Sequence, residues 1–184
     1  MKICIDPGHG GADPGAVSAD GVHESDVVLD IARRVRHYLG GAGHEVQLTR
    51  TSDLATSLES RAKFANEWGA AAFISIHANA AEAASARGFE VWTSPGQTNG
   101  DKLADCIFDA VRDEFPLMVW RYDLSDGDRD KESRFFVLVR SRMPAALIEI
   151  GFMSNVDDIE GMSRPEWRAR MAVAIGDGII AYAS

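Results

Sequence analysis

The chain has 184 residues, 46% of them hydrophobic and 26% charged, which suits one globular domain with a proper core rather than two. A formal net charge of −9 argues against general affinity for nucleic acid or anionic lipid. With only Cys4 and Cys106, a disulfide framework and a thiolate metal cluster are excluded, although a single pairing of the two stays open. No stretch is long and apolar enough to span a membrane.

Lys2 to Ile5 reads as a buried first strand, ended by the turn signal Asp6-Pro7-Gly8 and a glycine-rich loop that runs to Gly15. Glu24 opens a helix in which Val27, Val28, Ile31, Ala32, Val35, Tyr38 and Leu39 recur at helical spacing, with Gly40-Gly41 as the stop. Glu45 to Thr49 gives a second strand, and Leu58, Ala62, Ala65 and Trp68 mark a helix closed by Gly69. Ala71 to Ile76 is a near-continuous apolar run, as expected of a strand buried on both faces of a parallel sheet, and it ends at His77. Gly88 to Thr93 reads as a strand and Gly100 to Glu114 as a helix; the polar, aspartate-rich stretch from Pro116 to Glu132 reads as a surface loop. Phe135 to Val139 and Ala145 to Ile150 read as strands, and Glu166 to Tyr182 as a closing helix. Strands alternating with helices imply a single α/β domain over 1–184, an open twisted and mostly parallel sheet with helices on both faces.

The informative feature is where polar residues interrupt this pattern. His9 follows the first strand, His77 terminates the buried one, and Glu149 breaks the apolar run Ala145 to Ile150. Ligands of open α/β sheets sit beyond the carboxyl ends of the strands, so these three side chains, with Glu24 at the start of its helix, have a common place to meet. Two imidazoles and a carboxylate form a ligand set known for catalytic zinc, and a second carboxylate beside it would act as general base. Each residue has a plainer reading. His9 fits a turn, Glu24 fits the acidic preference of helix N-termini, and Glu149 could be buried in a salt bridge to an arginine. His23 is a rival ligand better read as a solvated loop residue, and His37 and His44 read as structural.

The segments Ile3 to Val17 (ICIDPGHGGADPGAV), Ser75 to Ala80 (SIHANA) and Ala146 to Asn155 (ALIEIGFMSN), with Glu24 ahead of a helix between the first two, resemble the zinc-dependent N-acetylmuramoyl-L-alanine amidases of the Amidase_3 type. The resemblance spans nearly the whole chain in the expected order. It implies hydrolysis of the amide between N-acetylmuramic acid and L-alanine in bacterial peptidoglycan. It also implies one zinc ion held by His9, Glu24 and His77, with Glu149 as the catalytic glutamate and Asn79 placed to touch substrate. Arg50 and Arg61 occupy places where the family often has arginine, with a structural role equally open. The expected partner is peptidoglycan, bound by a monomer without nucleic acid or membrane insertion. Met1-Lys2 leads straight into a strand, without the basic segment and apolar run of a signal peptide. The expectation is therefore a protein made in the cytoplasm that reaches the wall on release, as a phage or prophage endolysin does, or else the excised domain of an exported enzyme. Two alternatives stand beside it: a two-carboxylate peptidoglycan glycosidase using Glu24 and Glu149, and an inactive wall-binding module of the same fold.

Overall fold

The computed structural model describes residues 1–125 and 127–184. The strands are β1 (Lys2–Pro7), β2 (Glu45–Leu48), β3 (Ala72–Asn79), β4 (Glu90–Thr93), β5 (Lys131–Glu132) and β6 (Ala145–Phe152). They form one six-stranded sheet in the order β2-β1-β3-β6-β4-β5. β2, β1, β3 and β6 are mutually parallel, β4 runs antiparallel to β6, and β5 is parallel to β4. The mostly parallel sheet expected from the sequence is present, with a reversed pair at one edge.

Side chains alternate between the two faces of a strand, and here both faces are covered. Ile3, Ile5, Ile74, Ile76, Ala146, Ile148 and Ile150 point to one face, where they pack with buried residues of α1 (Glu24–Gly41), α3 (Asn99–Glu114) and α6 (Pro165–Ala183). Cys4, Phe73, Ala145 and Leu147 point to the other, under α2 (Leu58–Trp68) and α4 (Phe136–Arg140). Burying each large side chain is worth roughly 1.5–3 kcal/mol, so the strands form a stiff platform. On the second face the apolar residues run out toward the carboxyl ends. Cys4 is followed two positions on by Asp6, Phe73 by Ser75 and then His77, and Leu147 by Glu149. This change of character along one face makes a polar site at one edge of an otherwise apolar sheet.

Two sequence expectations need correction, and one helix was not anticipated. Phe135 to Val139, rich in aromatic and β-branched residues, is not a strand; Phe136–Arg140 is the short helix α4. Val137 and Leu138 are buried against Ala65 and Phe73 while Phe135 and Val139 stay exposed, a one-sided burial that a single helical turn satisfies and that overrides β propensity. A further helix, α5 (Val156–Ser163), follows β6, its N–H groups at Asp157 and Asp158 capped by the Asn155 side chain. The stretch from Pro116 to Glu132 is more than a surface loop, since Trp120 packs edge-on and tilted against Phe89 and Phe108, Asp130 is buried, and β5 joins the sheet. Cys4 and Cys106 are both free thiols, one on the sheet and one on α3, which closes the question of their pairing.

Candidate metal centre

The loop after β1 is held from beneath by two buried arginines. Arg61, on α2, donates from Nη1 to Asp6 Oδ1 at 2.8 Å and to the Pro7 carbonyl at 2.6 Å, and from Nη2 to the His9 carbonyl at 2.6 Å. Arg50 donates to the carbonyls of Pro7 (3.0 Å), Gly8 (2.6 Å) and Ser25 (2.9 Å), tying the same loop to the start of α1. Asp6 also accepts from the hydroxyls of Thr49 and Ser75. A planar guanidinium satisfies several carbonyls at once, which explains arginine at both positions. The structural role left open for Arg50 and Arg61 is therefore a specific one: they shape the loop that carries His9.

That loop brings His9, Glu24 and His77 together. One ligand atom from each lies within 4.8 Å of the others. Glu24 Oε1 is 3.1 Å from His9 Nε2 and 3.1 Å from His77 Nδ1, and it accepts from the Ala78 N–H at 2.9 Å. Glu24 Oε2 accepts from the Ala16 N–H at 2.9 Å. Burial works against the Glu24 charge, but the hydrogen bonds from His77 and His9 outweigh it and hold the carboxyl well below the usual glutamate range. His9 is pushed the other way, its pKa raised above 6.5 chiefly by the hydrogen bond to Glu24, with burial opposing and Asp13 adding a smaller push. Asp13 Oδ2 lies 2.8 Å from His9 Nδ1, so when Nδ1 carries the proton, the Nε2 lone pair faces Glu24. The rings of His9 and His77 meet edge to face, 5.0 Å apart.

Close approach explains the glycines of the loop. A Cβ on Gly8 would come within 2.2 Å of the His77 ring, and one on Gly15 within 2.5 Å of Glu24 Oε2. His9 itself has φ of 58°, a left-handed conformation uncommon for a residue with a side chain and held here by the arginines.

Glu149 is the register partner of His77 on the neighbouring parallel strand, so both side chains leave the same face at the same level. Its Oε2 is buried and has no hydrogen-bond partner among the described residues, and no ion pair of Glu149 occurs among them. The arginine bridge that would have made this carboxylate merely structural is thus missing. Burial pushes its pKa well above 4.5, and the charges of Glu24 and then Glu90 push it further. Glu90 stands directly opposite Glu149 on β4 and is itself neutralised by Arg121 and by Lys131 at 3.1 Å.

Of the residues singled out from the sequence, His9, Glu24, His77 and Glu149 converge, while His23 precedes α1 as an exposed residue outside the cluster. Asn79 ends β3 two residues past His77; its Oδ1 accepts from the Ala80 N–H at 2.7 Å and its Nδ2 lies 3.5 Å from Glu90 Oε2. Asp6, Asp13 and Glu90 were not foreseen, although an aspartate four residues after a loop histidine is a legible hint for Asp13. A cavity of about 450 Å³ opens beside His9, lined by Asp13, Ala55, Thr56 and Ser57. A larger one of about 550 Å³, lined by Phe115, Met118, Ile150 and Trp167, touches none of the four converging residues.

A mostly parallel α/β sheet with a His–Glu–His cage at its carboxyl edge, able to hold a metal ion and flanked by a buried carboxylate, defines the class of protein. The family profile Amidase_3, described as N-acetylmuramoyl-L-alanine amidase, matches residues 3–181. The chain is 35% identical over 183 residues to N-acetylmuramoyl-L-alanine amidase LytC of Bacillus subtilis (strain 168), a match covering 98% of this chain and 35% of that protein. It is 36% identical over 181 residues to N-acetylmuramoyl-L-alanine amidase CwlM of Bacillus licheniformis, covering 97% of this chain and 67% of that one. The chain therefore spans about a third of the first relative and two thirds of the second. The solved structure of N-acetylmuramoyl-L-alanine amidase AmiC2 of Nostoc punctiforme superposes with a TM-score of 0.90 at 34% identity, covering 100% of this chain and 97% of that one. The chain belongs to the N-acetylmuramoyl-L-alanine amidase family of the Amidase_3 type.

Proposed function

We propose that the protein is a zinc-dependent hydrolase that cuts the amide between N-acetylmuramic acid and L-alanine of peptidoglycan and releases stem peptides. In this reading His9, Glu24 and His77 hold the metal and Glu149 is the general base. The observation that carries it is the Glu149 carboxylate, half-buried beside the cage with one oxygen unpartnered. A charge kept in that position without a counter-ion is costly and calls for a use.

The donor set fits zinc: two imidazole nitrogens and a carboxylate oxygen converge, and His9 and His77 keep 25% and 19% of their side-chain surface open for approach. Bound there, zinc supplies Lewis acidity, lowering the pKa of a water and drawing charge from a carbonyl. The chain does the rest. The Ala16 and Ala78 N–H groups fix the Glu24 carboxylate, Asp13 sets the tautomer of His9, and the arginine-held loop sets its distance. Glu149 takes a proton from the attacking water and returns it to the departing alanine nitrogen, a step that amide cleavage needs because an amide anion leaves poorly.

The glycosidase alternative requires one carboxyl group to stay protonated as general acid near neutrality. The Glu149 pKa is raised and that of Glu24 is held below the usual range, a division that suits such a pair, but both imidazoles would be left without a task. Digestion of purified sacculi tests the two readings together. The amidase should release peptides with new free alanine amines and no new reducing ends, and a chelator should stop it until zinc is restored. Chelator-resistant release, new reducing ends, or binding to wall without release of soluble peptide would each sink the proposal.

Protonation of the cage gives a second expectation. Zinc binds neutral imidazole, and His9 keeps its proton to higher pH than an ordinary histidine, so apparent zinc affinity should begin to fall on acidification at a higher pH than an ordinary histidine ligand would impose. Asp13→Ala removes the carboxylate on Nδ1 and should weaken zinc binding by about 10–100-fold. Competition against a chromogenic chelator between pH 5.5 and 8.5 measures both. An Asp13→Ala protein with unchanged zinc affinity would show that Asp13 does not orient His9.

A further inference from the structure

Away from the cage, a second group of carboxylates takes no part in the chemistry above. Where β4 meets the turn into α3, Thr93, Asp101 and Asp130 are buried, at 0%, 9% and 3% exposure, and Asp128 adjoins them. Asp130 Oδ2 accepts from Thr93 Oγ1 at 2.5 Å, and Asp128 Oδ2 accepts from Gln97 Nε2 at 2.9 Å. The remaining oxygen of each, Oδ1, is buried and meets no donor among the described residues. Asp101 uses both oxygens on Thr98 to cap α3. The cations on the same segment are committed elsewhere: Arg129 bridges to Asp105 and Asp109 on α3, and Lys131 bridges to Glu90.

A buried carboxylate with like charges for neighbours and no counter-charge is strongly disfavoured. We propose that Asp128 Oδ1 and Asp130 Oδ1 are two ligands of a hard divalent cation site, calcium by preference, which staples the segment leading into β5 onto the turn between β4 and α3. The donors are all oxygen, with no imidazole or thiol in the group, which selects a hard ion over a transition metal. Calcium accepts irregular coordination completed by backbone carbonyls and waters, whereas magnesium demands a near-octahedral shell. A shared proton is a second way to relieve the pair. Burial raises the Asp130 carboxyl to about 7, the Thr93 hydrogen bond opposing and Asp128 and Asp101 adding to the rise. Above that pH the proton is lost and the cation is the relief that remains.

The test uses the zinc-loaded protein at pH 7.5. Equilibrium dialysis with elemental analysis should find one calcium per chain beyond the zinc. Tm should rise by roughly 5–10 °C at a hundredfold excess of calcium over its Kd, with a smaller shift for magnesium. Asp130→Asn and Asp128→Asn should fold, keep zinc, bind no extra calcium and give a Tm indifferent to it. His77→Ala, which disrupts the cage, should keep the calcium response, so the two sites are told apart. The proposal is overturned if the wild type binds no calcium, or if Asp130→Asn responds as the wild type does. A wild-type Tm that falls between pH 5 and 8 but ignores calcium also overturns it, in favour of the shared proton.

Discussion

Glu149→Gln should lower kcat by about a thousandfold while one zinc per chain stays bound. The magnitude is that of a positioned general base, on the order of 10²–10⁴-fold. The zinc should stay because the three cage ligands reach one another without Glu149. The same substitution should raise the stability of the metal-free protein, and the sign follows from linkage. Folding raises the Glu149 pKa above 4.5, so the native state holds a proton that the unfolded chain releases. The stability this gives is present below about pH 4.5 and is lost as pH rises toward the native pKa. Glutamine cannot titrate, so Glu149→Gln should be free of that loss and should melt higher than the wild type near pH 7. Steady-state turnover, zinc content and a melting series from pH 4 to 8 read all three effects. A Glu149→Gln protein with near-normal kcat would remove the general base from the mechanism, whatever its stability. His77→Ala, by contrast, should lose metal and turnover together.

Part of the converging cluster was legible in the sequence because burial makes polar residues conspicuous. His77 at the end of AAFISI and Glu149 inside ALIEIG interrupt runs that otherwise serve only a core, and the strand register then sets them side by side. What supports them was not legible, because the partners lie far apart in the chain. Asp6 and Arg61 are 55 residues apart, and nothing in the local pattern pairs them. Glu90 gains its meaning only from the antiparallel register that sets it opposite Glu149. Fold expectations failed where local preference and tertiary demand conflict: FFVLV carries strand-forming residues, yet the space beside Ala65 and Phe73 admits a helical turn with Val137 and Leu138 inward. Asp130 shows the same limit from the other side. A run of aspartates reads as solvated, and only the fold reveals that one of them is buried at Thr93.

Arg61→Ala should cost about 3–5 kcal/mol, lowering Tm by about 10 °C, and should also weaken zinc binding. Arg61 and Asp6 are buried as an ion pair, with side-chain exposures of 4% and 1%, so removing the cation leaves a carboxylate in the interior with only the Thr49 and Ser75 hydroxyls. Alanine also strands the carbonyls of Pro7 and His9, and with them the restraint that keeps His9 at its left-handed φ. Stability and metal affinity are therefore expected to fall together, because the same side chain serves both. Arg61→Lys should recover only part of either, since an ammonium lacks the planar fork that reaches Asp6, Pro7 and His9 at once. Lys63, two residues along α2, pairs with Glu67 at 3.8 Å on the exposed surface, and Lys63→Ala should leave Tm and zinc affinity essentially unchanged. On the proposed reading the cage forms only in the folded state, so saturating zinc should return part of the Tm lost in Arg61→Ala, with a higher concentration needed than for the wild type. An Arg61→Ala protein that melts lower yet holds zinc as tightly as the wild type would separate the two roles. It would leave the position of His9 to Arg50, Asp13 and the loop glycines.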